Sequence, residues 1–471
     1  MKRIAVLSVH SCPLAALGGK ETGGMNVYVR ELSRQMGRMG IEVDVFTRSQ
    51  NPYISPIVSL GQNARVIHIK AGPEEPVAKH RLLRYMPEFT SEVVRFAREN
   101  GAAYDLVHSH YWLSGWVGGR LKKLWSVPLV HMFHTLGILK NTAGEGGREM
   151  EPSKRLKVER EIGESADCII APSPWEKKQM VLLNRTPPAR VKVIPCGVDL
   201  RLFRPISSLK AMKVLGLTRR NFILFVGRID AIKGIDVLIR AVHRLSCRPE
   251  GEKGDLGLII VGGEPDADPR RESREMQRLR GLVQDLKLQD RVAFWGSQRQ
   301  DLLPYFYSAA RALVLPSRYE SFGMVALEAM ACGTPVIASR VGGLKYTIED
   351  GRTGLLVPEG NSTLLADRVC QVVERTGVRK NLVQAALAEV RKFSWPEIAQ
   401  RVLSVYRSLP VGLREGKIQK GMLRREGWTP EQNQSLRSCP SGELSSSPRE
   451  FSCCWPVHDF RPGLKTVPQN S

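Results

Sequence analysis

The chain has little of what would assign it to a membrane-spanning, a zinc-binding or a disulfide-bonded class of protein. Its 471 residues contain no apolar run near the ~18 residues that a membrane-spanning helix needs. Its nine cysteines are scattered, odd in number and never spaced as Cys-x-x-Cys, which argues against a zinc site and against a disulfide framework. Cysteines used in this way are typical of a reducing compartment, so the sequence predicts a cytoplasmic protein.

Four common catalytic motifs are also missing. There is no Gly-x4-Gly-Lys-Ser/Thr phosphate loop, no Gly-x-Gly-x-x-Gly dinucleotide fingerprint, no Gly-x-Ser-x-Gly elbow and no His-Glu-x-x-His pair. These absences argue against P-loop kinases, serine hydrolases and zinc proteases. Asp266 and Asp268 have the Asp-x-Asp spacing that holds a metal–nucleotide in some sugar transferases. They lie in the polar stretch EPDADPRRESRE, which favours a solvated loop, so we predict no metal site.

The net charge of +23 narrows the choice of partners. The 70 lysine and arginine residues are spread along the chain, whereas a nucleic-acid-binding protein concentrates them and interleaves aromatic residues. We therefore expect anionic small-molecule substrates rather than nucleic acid. Loose association with an acidic membrane surface and assembly into a homodimer are left open.

Continuous apolar runs, separated by helical stretches, recur along the chain. Such runs are typical of strands covered on both faces, and therefore of a parallel, doubly wound α/β sheet. The first set of predicted strands is Arg3–Val9, Val43–Arg48, Arg65–Ile69, Asp105–His108, Pro128–His131, Cys168–Ala171 and Val191–Ile194. After a predicted linker at Asp199–Leu217, the second set is Phe222–Gly227, Leu256–Val261, Val292–Trp295, Ala312–Leu315 and Pro335–Ala338. Two Rossmann-like domains, residues 1–198 and 199–392, would thus face each other across a ligand-binding cleft.

The chain changes character after Pro410. Residues 411–471 are rich in Gly, Pro, Ser, Gln and Arg and show little periodicity, so we predict a low-complexity, disordered tail. Trp428, Trp455 and the Cys453-Cys454 pair are unusual in such a segment, but no mechanism assigns them a role.

Two candidate phosphate sites follow predicted strands. Gly23 and Gly24 precede a helix whose apolar residues repeat at four, three, four and three, namely Met25, Val29, Leu32, Met36 and Met39. A glycine turn at a helix start suits a phosphate, and we assign both glycines to donor binding, although an ordinary tight turn would look the same. Arg228 and Lys233 follow the first strand of the second half and would neutralise a diphosphate, unless they are only surface cations.

Polar side chains form two further candidate sites. His108, His110, His131 and His134 lie at the ends of two strands, where they would bind a sugar or the backbone, or else pack at the edge of the core. In the stretch ESFGMVALE, Glu320 lies in a loop and Glu328 in the second turn of a helix that begins near Gly323. These carboxylates could accept hydrogen bonds from ribose and hexose hydroxyls, the alternative being a capping and a surface glutamate.

Taken together, these motifs resemble the family-4 retaining glycosyltransferases of GT-B fold. ESFGMVALE matches the Glu-x7-Glu signature of that family, and Gly227-Arg228 with Lys233 matches its diphosphate clamp. The resemblance covers roughly residues 1–408, and it implies that residues 393–410, which begin Phe393-Ser394-Trp395, form a helix that crosses back to the first domain.

SVHSCP, GGMNVYVREL, DLVHSHYWLSGWVG, HTLGILKN and EPSKRLKVE are similar to the branch that holds the D-inositol 3-phosphate glycosyltransferases and the sucrose-phosphate synthases. That resemblance implies an acceptor-phosphate site formed by Asn26, Lys79, Tyr111, Thr135 and Arg155. One position departs from the inositol-phosphate branch, because Gln298 stands where that branch has an arginine. A shift of one residue would restore it with Arg299.

The resemblance also implies roles for the donor side of the cleft. Arg228 and Lys233 would stabilise the leaving diphosphate, Glu320 would contact the donor sugar and Glu328 the ribose. The backbone N–H groups of Phe322, Gly323, Met324 and Val325 would help to hold the donor, and His134 would lie beside the transferring sugar. The implied co-substrate is a nucleotide sugar such as UDP-GlcNAc, without a metal. A sugar phosphate, a lipid or a polysaccharide is the alternative acceptor to D-inositol 3-phosphate.

Overall fold

The structure is a computed structural model that describes residues 1–15, 22–142, 150–218, 221–247, 256–263 and 272–410. The Asp266/Asp268 pair and the predicted tail, residues 411–471, lie outside the described residues. Cytoplasmic location, membrane association and dimerisation likewise stay predictions. In the part of the chain that is described, no helix is both long and apolar enough to cross a membrane.

The first domain is built on an eight-stranded sheet of order β3-β4-β2-β1-β5-β6-β7-β8, in which β3 alone is antiparallel to its neighbour. Its strands are β1 (Arg3–Leu7), β2 (Glu42–Arg48), β3 (Ile57–Gly61), β4 (Ala64–Ile69), β5 (Leu106–His110), β6 (Leu129–Met132), β7 (Cys168–Ala171) and β8 (Val191–Val193). Its helices are α1 (Gly24–Arg38), α2 (Lys79–Leu82), α3 (Met86–Glu99), α4 (Tyr111–Trp125), α5 (Gly137–Thr142), α6 (Ser153–Ser165) and α7 (Pro174–Leu183).

The second domain is built on a six-stranded parallel sheet of order β11-β10-β9-β12-β13-β14. Its strands are β9 (Phe222–Val226), β10 (Gly257–Val261), β11 (Val292–Phe294), β12 (Leu313–Leu315), β13 (Val336–Ser339) and β14 (Leu355–Val357). The helices from the linker onward are α8 (Ser208–Leu215), α9 (Ile235–Ser246), α10 (Arg274–Asp285), α11 (Leu303–Ala309), α12 (Met324–Ala331), α13 (Leu344–Thr347), α14 (Ser362–Glu374), α15 (Thr376–Glu389) and α16 (Trp395–Ser408).

This architecture confirms the predicted fold class, two doubly wound parallel sheets. Every predicted strand is present. Most of the apolar runs are buried, as in β9, where all five residues are buried, whereas the edge strands β8 and β11 are only partly buried. The predicted helix after Gly23 is α1, and Val29, Leu32 and Met36 form its buried side. The interpretation of Asp199–Leu217 as a plain linker was incomplete, since it contains α8, whose Ala211 and Met212 are buried.

The order of the strands indicates where each sheet would bind a ligand. In the first sheet the order reverses at β1, which lies between β2 and β5, and in the second at β9, which lies between β10 and β12. The crevice outside the carboxyl ends of the strands at such a reversal is where doubly wound sheets bind ligands. The Gly23-Gly24 turn follows β1 and Arg228 follows β9, so the two sequence motifs lie at these two points.

The crossover helix α16 joins the second domain back to the first, as the sequence resemblance implied. Trp395, at its first residue, is 2% exposed and packs edge-to-face on Tyr28 of α1, with ring centroids 5.5 Å apart. Gly197 accommodates the indole, since a Cβ there would come within 2.5 Å of it. Near the other end of the helix, the Tyr406 hydroxyl lies 2.6 Å from Nδ1 of His108 in β5.

We expect Tyr406→Phe to lower the free energy of unfolding by about 1–3 kcal/mol, because it leaves the buried Nδ1 of His108 without a partner. Urea denaturation of the purified chain measures the change. Tyr346→Phe is the matched control, because Tyr346 is 49% exposed and its hydroxyl can be replaced by water. Equal effects of the two substitutions would show that the Tyr406–His108 contact does not stabilise the docking of α16.

Candidate active site

A cleft of about 310 Å³ lies between the carboxyl ends of the two sheets, a volume typical of small-molecule sites. It brings together residues that are far apart in the sequence. The predicted site residues that line it are Gly23, Gly24, Asn26, Lys79, Tyr111, His134, Thr135, Arg228, Lys233, Glu320, Phe322, Gly323, Met324, Val325 and Glu328. Arg155 lies behind this surface, 1% exposed, and contacts Tyr111 and Thr135.

Lys233 and Glu320, predicted separately, form an ion pair on the second-domain wall. Lys233 Nζ lies 2.5 Å from Glu320 Oε2, and each side chain is 17% exposed. Gly234, directly after Lys233, has a φ of +62°, and a Cβ there would meet the Pro316 carbonyl oxygen at 2.1 Å. A glycine is therefore needed to bring the loop after β9 against the loop after β12, and this contact sets the ion pair at the mouth of the cleft.

The start of α12 is open to the cleft. Gly323 has a φ of +88°, and a Cβ at that position would clash with Leu344 at 2.5 Å. The helix begins at Met324, as predicted, and its first residues line the cleft. Backbone N–H groups at a helix start carry partial positive charge, so this edge suits an anionic group.

Glu328 lies in the second turn of α12, as predicted, but it is not a surface glutamate. It is 6% exposed, and one carboxylate oxygen accepts a hydrogen bond of 2.7 Å from the Tyr307 hydroxyl. Burial raises the pKa of Glu328 to about 7. Glu328 also lines the cleft, where its carboxylate could accept a hydrogen bond from a ligand hydroxyl. The sequence reasoning missed Tyr307, which lies on a different helix, α11.

The four histidines lie at different depths. His108, His110 and His131 are buried within β5 and β6, whereas His134 lines the cleft. His134 has a φ of +61°, and its Nε2 is 3.0 Å from Nδ1 of His110. Burial lowers the pKa of His134 to about 3, so its imidazole is neutral near pH 7. His134 can therefore hydrogen-bond a ligand but cannot supply a positive charge there.

The first-domain wall carries the predicted acceptor set. Arg155 donates to the Tyr111 hydroxyl at 3.0 Å and to the Thr135 carbonyl at 2.9 Å. Lys79 Nζ lies 5.9 Å from the centroid of the Tyr111 ring. Four of the five residues implied by the resemblance are thus brought together around one tyrosine, which makes this wall cationic.

Lys140, Glu151 and Glu159 belong to the same wall and were missed. Lys140 lines the cleft and lies 3.1 Å from Glu151, while Arg155 is paired with both Glu151 and Glu159. The i, i+4 spacing of Arg155 and Glu159 was a usable signal, because such residues share one side of a helix. Glu151 lies just before the start of α6. His10 was also missed, and its ring centroid lies 4.3 Å from that of Tyr111.

Asn26, the fifth predicted acceptor residue, holds the turn before α1. Its Oδ1 accepts the Gly23 N–H at 3.0 Å, and its Nδ2 donates to Ser11 and to the Cys12 carbonyl at 2.7 Å. Both amide hydrogens can therefore be used within the protein. A direct contact of Asn26 with an acceptor stays a prediction, whereas its positioning of Gly23 is evident.

Gln298 lines the cleft, and Arg299 does not take its place. The Gln298 side chain donates to the Trp295 carbonyl at 2.7 Å. Arg299 is 81% exposed and pairs with Asp301 at 2.7 Å. Arg299 therefore supplies no positive charge to this cleft, and the one-residue shift relative to the family stays a prediction.

No group of three or more His, Cys, Asp or Glu side chains suited to a metal ion occurs among the described residues. The charged groups available to a ligand in the cleft are those of its two cationic walls.

A contact across the cleft was not anticipated from the sequence. The Ser321 hydroxyl of the second domain donates to the carboxyl group of Glu176, in α7 of the first. Glu176 is fully buried, and burial raises its pKa to about 8. The contact therefore joins a serine to a carboxyl group that is largely protonated near pH 7.

Comparison with known proteins shows the family of the chain. Residues 22–202 match the family model described as Glycosyltransferase Family 4, and residues 209–388 match the model described as Glycosyl transferases group 1. The chain is 39% identical to a D-inositol 3-phosphate glycosyltransferase from Acidothermus cellulolyticus, over 86% of this chain and 90% of the relative. A protein of the same name from Actinosynnema mirum is 41% identical, over 86% and 97%. The solved sucrose-phosphate synthase from Thermosynechococcus elongatus is 36% identical, with a TM-score of 0.79 over 86% of this chain and 98% of that one.

We expect Glu176→Gln to gain stability relative to the wild type as the pH rises from about 5 to 8. The pKa of Glu176 is raised to about 8 in the folded chain, against about 4.3 for an unfolded glutamate. Between these values the unfolded chain releases a proton that the folded chain keeps, so this group's contribution to wild-type stability falls as pH rises. Glutamine has no such dependence.

Urea midpoints of both proteins at pH 5, 6, 7 and 8 measure the difference. Glu99→Gln, at a side chain 59% exposed, controls for the loss of a surface charge. A difference between wild type and Glu176→Gln that stays constant with pH would contradict the burial of a protonated carboxyl group.

Proposed function

The chain belongs to glycosyltransferase family 4, and from that premise we propose that it transfers a hexosyl group, with retention, from a nucleoside diphosphate sugar to a phosphorylated acceptor. The donor we expect is a UDP-sugar such as UDP-GlcNAc, and the acceptor D-inositol 3-phosphate or a related phosphate. The observation that supports this most is the pairing of two cationic walls in one cleft, Arg228 with Lys233 on one side and Lys79 with Lys140 on the other.

The second-domain wall is suited to the donor. Arg228 and Lys233 would neutralise the diphosphate as it departs, together with the N–H groups at the start of α12. Glu320, held by Lys233 at 2.5 Å, would accept hydrogen bonds from the sugar hydroxyls. Glu328, held by Tyr307, would accept from the ribose. This wall supplies the charge that the leaving group needs without a metal cofactor.

The proposed reaction needs no nucleophile from the protein. The acceptor hydroxyl would attack the anomeric carbon on the side from which the diphosphate leaves, so the new bond to the acceptor oxygen replaces the bond to the diphosphate oxygen on the same face. The departing diphosphate would take the proton of the acceptor hydroxyl. His134, neutral and beside this position, would orient the sugar through a hydrogen bond rather than transfer a proton.

The first-domain wall supports a phosphorylated acceptor. Arg155 and Lys79 carry positive charge, and Tyr111 and Thr135 carry hydroxyls, within one group of contacting side chains. The names of the relatives, D-inositol 3-phosphate glycosyltransferase and sucrose-phosphate synthase, both include a phosphorylated compound. A sugar phosphate is therefore the second candidate acceptor. Because Gln298 stands where the inositol-phosphate branch has an arginine, the identity of the nucleotide base is the part of the proposal with the least support.

A panel of acceptors and donors tests this function. The purified chain is incubated with UDP-, GDP- and ADP-sugars and with inositol phosphates, hexose phosphates, unphosphorylated inositol and lipid acceptors, and release of the nucleoside diphosphate is measured. We expect release with UDP-sugars and phosphorylated acceptors. Transfer confined to a lipid or a polysaccharide would overturn the proposal.

We expect Arg228→Ala to lower turnover ~10²-fold or more, by analogy with removal of one donor from an oxyanion site. Steady-state release of the nucleoside diphosphate measures this. The matched control is Arg240→Ala, at an exposed position on α9 of the same domain, where we expect no change. Unchanged turnover in the Arg228 variant would remove this residue from the mechanism.

A further inference from the structure

We propose that Glu151 is a displaceable counter-anion of the acceptor site, which the acceptor's phosphate must replace in order to bind. The inference rests on the proposed function, because it takes the first-domain wall to be the phosphate site. It assigns Glu151 an effect on affinity whose sign is opposite to that of an ordinary binding residue.

The carboxylate of Glu151 bridges two cations of that wall. Its Oε1 lies 3.1 Å from Lys140 Nζ, and its Oε2 lies 2.9 Å from the NH1 atom of Arg155. The backbone N–H of Glu151 donates to the Asn141 side chain at 2.8 Å, so the residue is anchored beside α5 independently of its carboxylate. Glu151 thus already occupies the position that an anionic ligand would take between Lys140 and Arg155.

Each nitrogen atom of the Arg155 guanidinium already has a polar partner. The Nε group donates to Glu159 at 2.6 Å. The NH1 group donates to Tyr111 at 3.0 Å and forms the ion pair with Glu151. The NH2 group donates to the Thr135 carbonyl and hydroxyl at 2.9 and 3.4 Å. Because Arg155 is 1% exposed and every one of its nitrogens has a partner, a phosphate oxygen reaches the guanidinium by replacing one of these partners.

Glu151 is the partner best placed to leave. Glu159 is 0% exposed and is also held by the Gly137 N–H at 2.9 Å, and Tyr111 is 6% exposed. The side chain of Glu151 is 24% exposed. If the carboxylate of Glu151 rotates toward water, its contacts with Lys140 and Arg155 are replaced by hydrogen bonds to water. Glu159 is buried, so its carboxylate cannot reach water in this way. The burial pattern thus assigns the displacement to Glu151.

Charge makes the displacement favourable for a phosphate. Three cations, Lys79, Lys140 and Arg155, face the two carboxylates of Glu151 and Glu159. If Glu151 stayed, a dianionic phosphate would lie within a few ångströms of its charge, in a partly buried site where repulsion is weakly screened. Although burial opposes it, Arg155 and Lys140 hold the pKa of Glu151 below its usual range. Protonation therefore does not relieve the repulsion near neutral pH, and movement must.

Glu151→Gln tests the inference because it removes the charge and keeps the shape. Inorganic phosphate is titrated into the full chain at pH 7 by calorimetry, below the pKa of Lys140, which burial lowers to about 8. KM and kcat are measured with the phosphorylated acceptor that the panel identifies. We expect the Kd for phosphate and the KM to fall about tenfold or more, since no carboxylate competes. We expect no such change in the KM for the nucleotide sugar. Glu151→Ala should act in the same direction, which guards against misfolding of a single variant.

The matched control is Glu161→Gln, on helix α6, which follows Glu151, where the side chain is 57% exposed. It removes the same net charge away from the cleft and should leave the phosphate Kd within about twofold. Weaker or equal phosphate binding by both Glu151 variants, with normal binding by the wild type, would overturn this inference alone. If the wild type and both variants bind no phosphate, the inference falls together with the proposed acceptor site. Phosphate binding that appears only in the variants would support it.

Discussion

The docking of α16 on the first domain is the contact on which the cleft depends. Trp395 fills the space between Tyr28 and Gly197, and Tyr406 reaches His108 inside the first sheet. Tyr28 in turn packs against His110 and His134, with ring centroids 5.7 and 5.4 Å apart. One continuous aromatic contact therefore runs from the crossover helix to a residue of the cleft. Because the interior is close-packed, a change at the helix would be transmitted to His134 rather than absorbed.

The cations of the two walls are paired with carboxylates in different ways. A buried cation must be paired, since desolvation without a partner is costly. On the second-domain wall, Lys233 has one partner, Glu320, and both remain partly exposed. On the first-domain wall, Arg155 is buried and is paired with two carboxylates, while Tyr111 and Thr135 accept its other hydrogen bonds. The donor wall is thus ready for an anion, whereas the acceptor wall must first give one up.

The fold was predictable from the apolar runs in the sequence. Most of the cleft residues were predictable because their motifs follow predicted strands. Apolar runs such as Phe222–Val226 identify buried strands, and motifs that follow such strands must lie at one edge of the sheet. The two strands that were missed carry weaker signals, since β3 is mostly exposed and β14 has three residues. The approximate location of Arg228, Lys233, Glu320 and Glu328 therefore followed from the sequence.

What could not be predicted depends on contacts between distant segments. Glu176 meets Ser321 across 145 residues of sequence, and Tyr307 meets Glu328 from another helix. Neither residue belongs to a motif, and only the packing of the two domains gives them partners. The burial of each histidine was equally unpredictable, because the sequence of a short strand does not show which of its polar residues face the core.

The buried carboxyl group of Glu176 has a consequence for the working cycle of the protein. Burial is the main cause of its raised pKa, and the Ser321 hydroxyl of the opposite wall donates to the carboxyl group. Any separation of the two walls that hydrates Glu176 returns its pKa toward the ordinary value of about 4.3, and the proton is then lost to the solvent. A separation of this kind during substrate binding would therefore release a proton to the buffer. The heat of substrate binding would then depend on the ionisation enthalpy of the buffer in which it is measured.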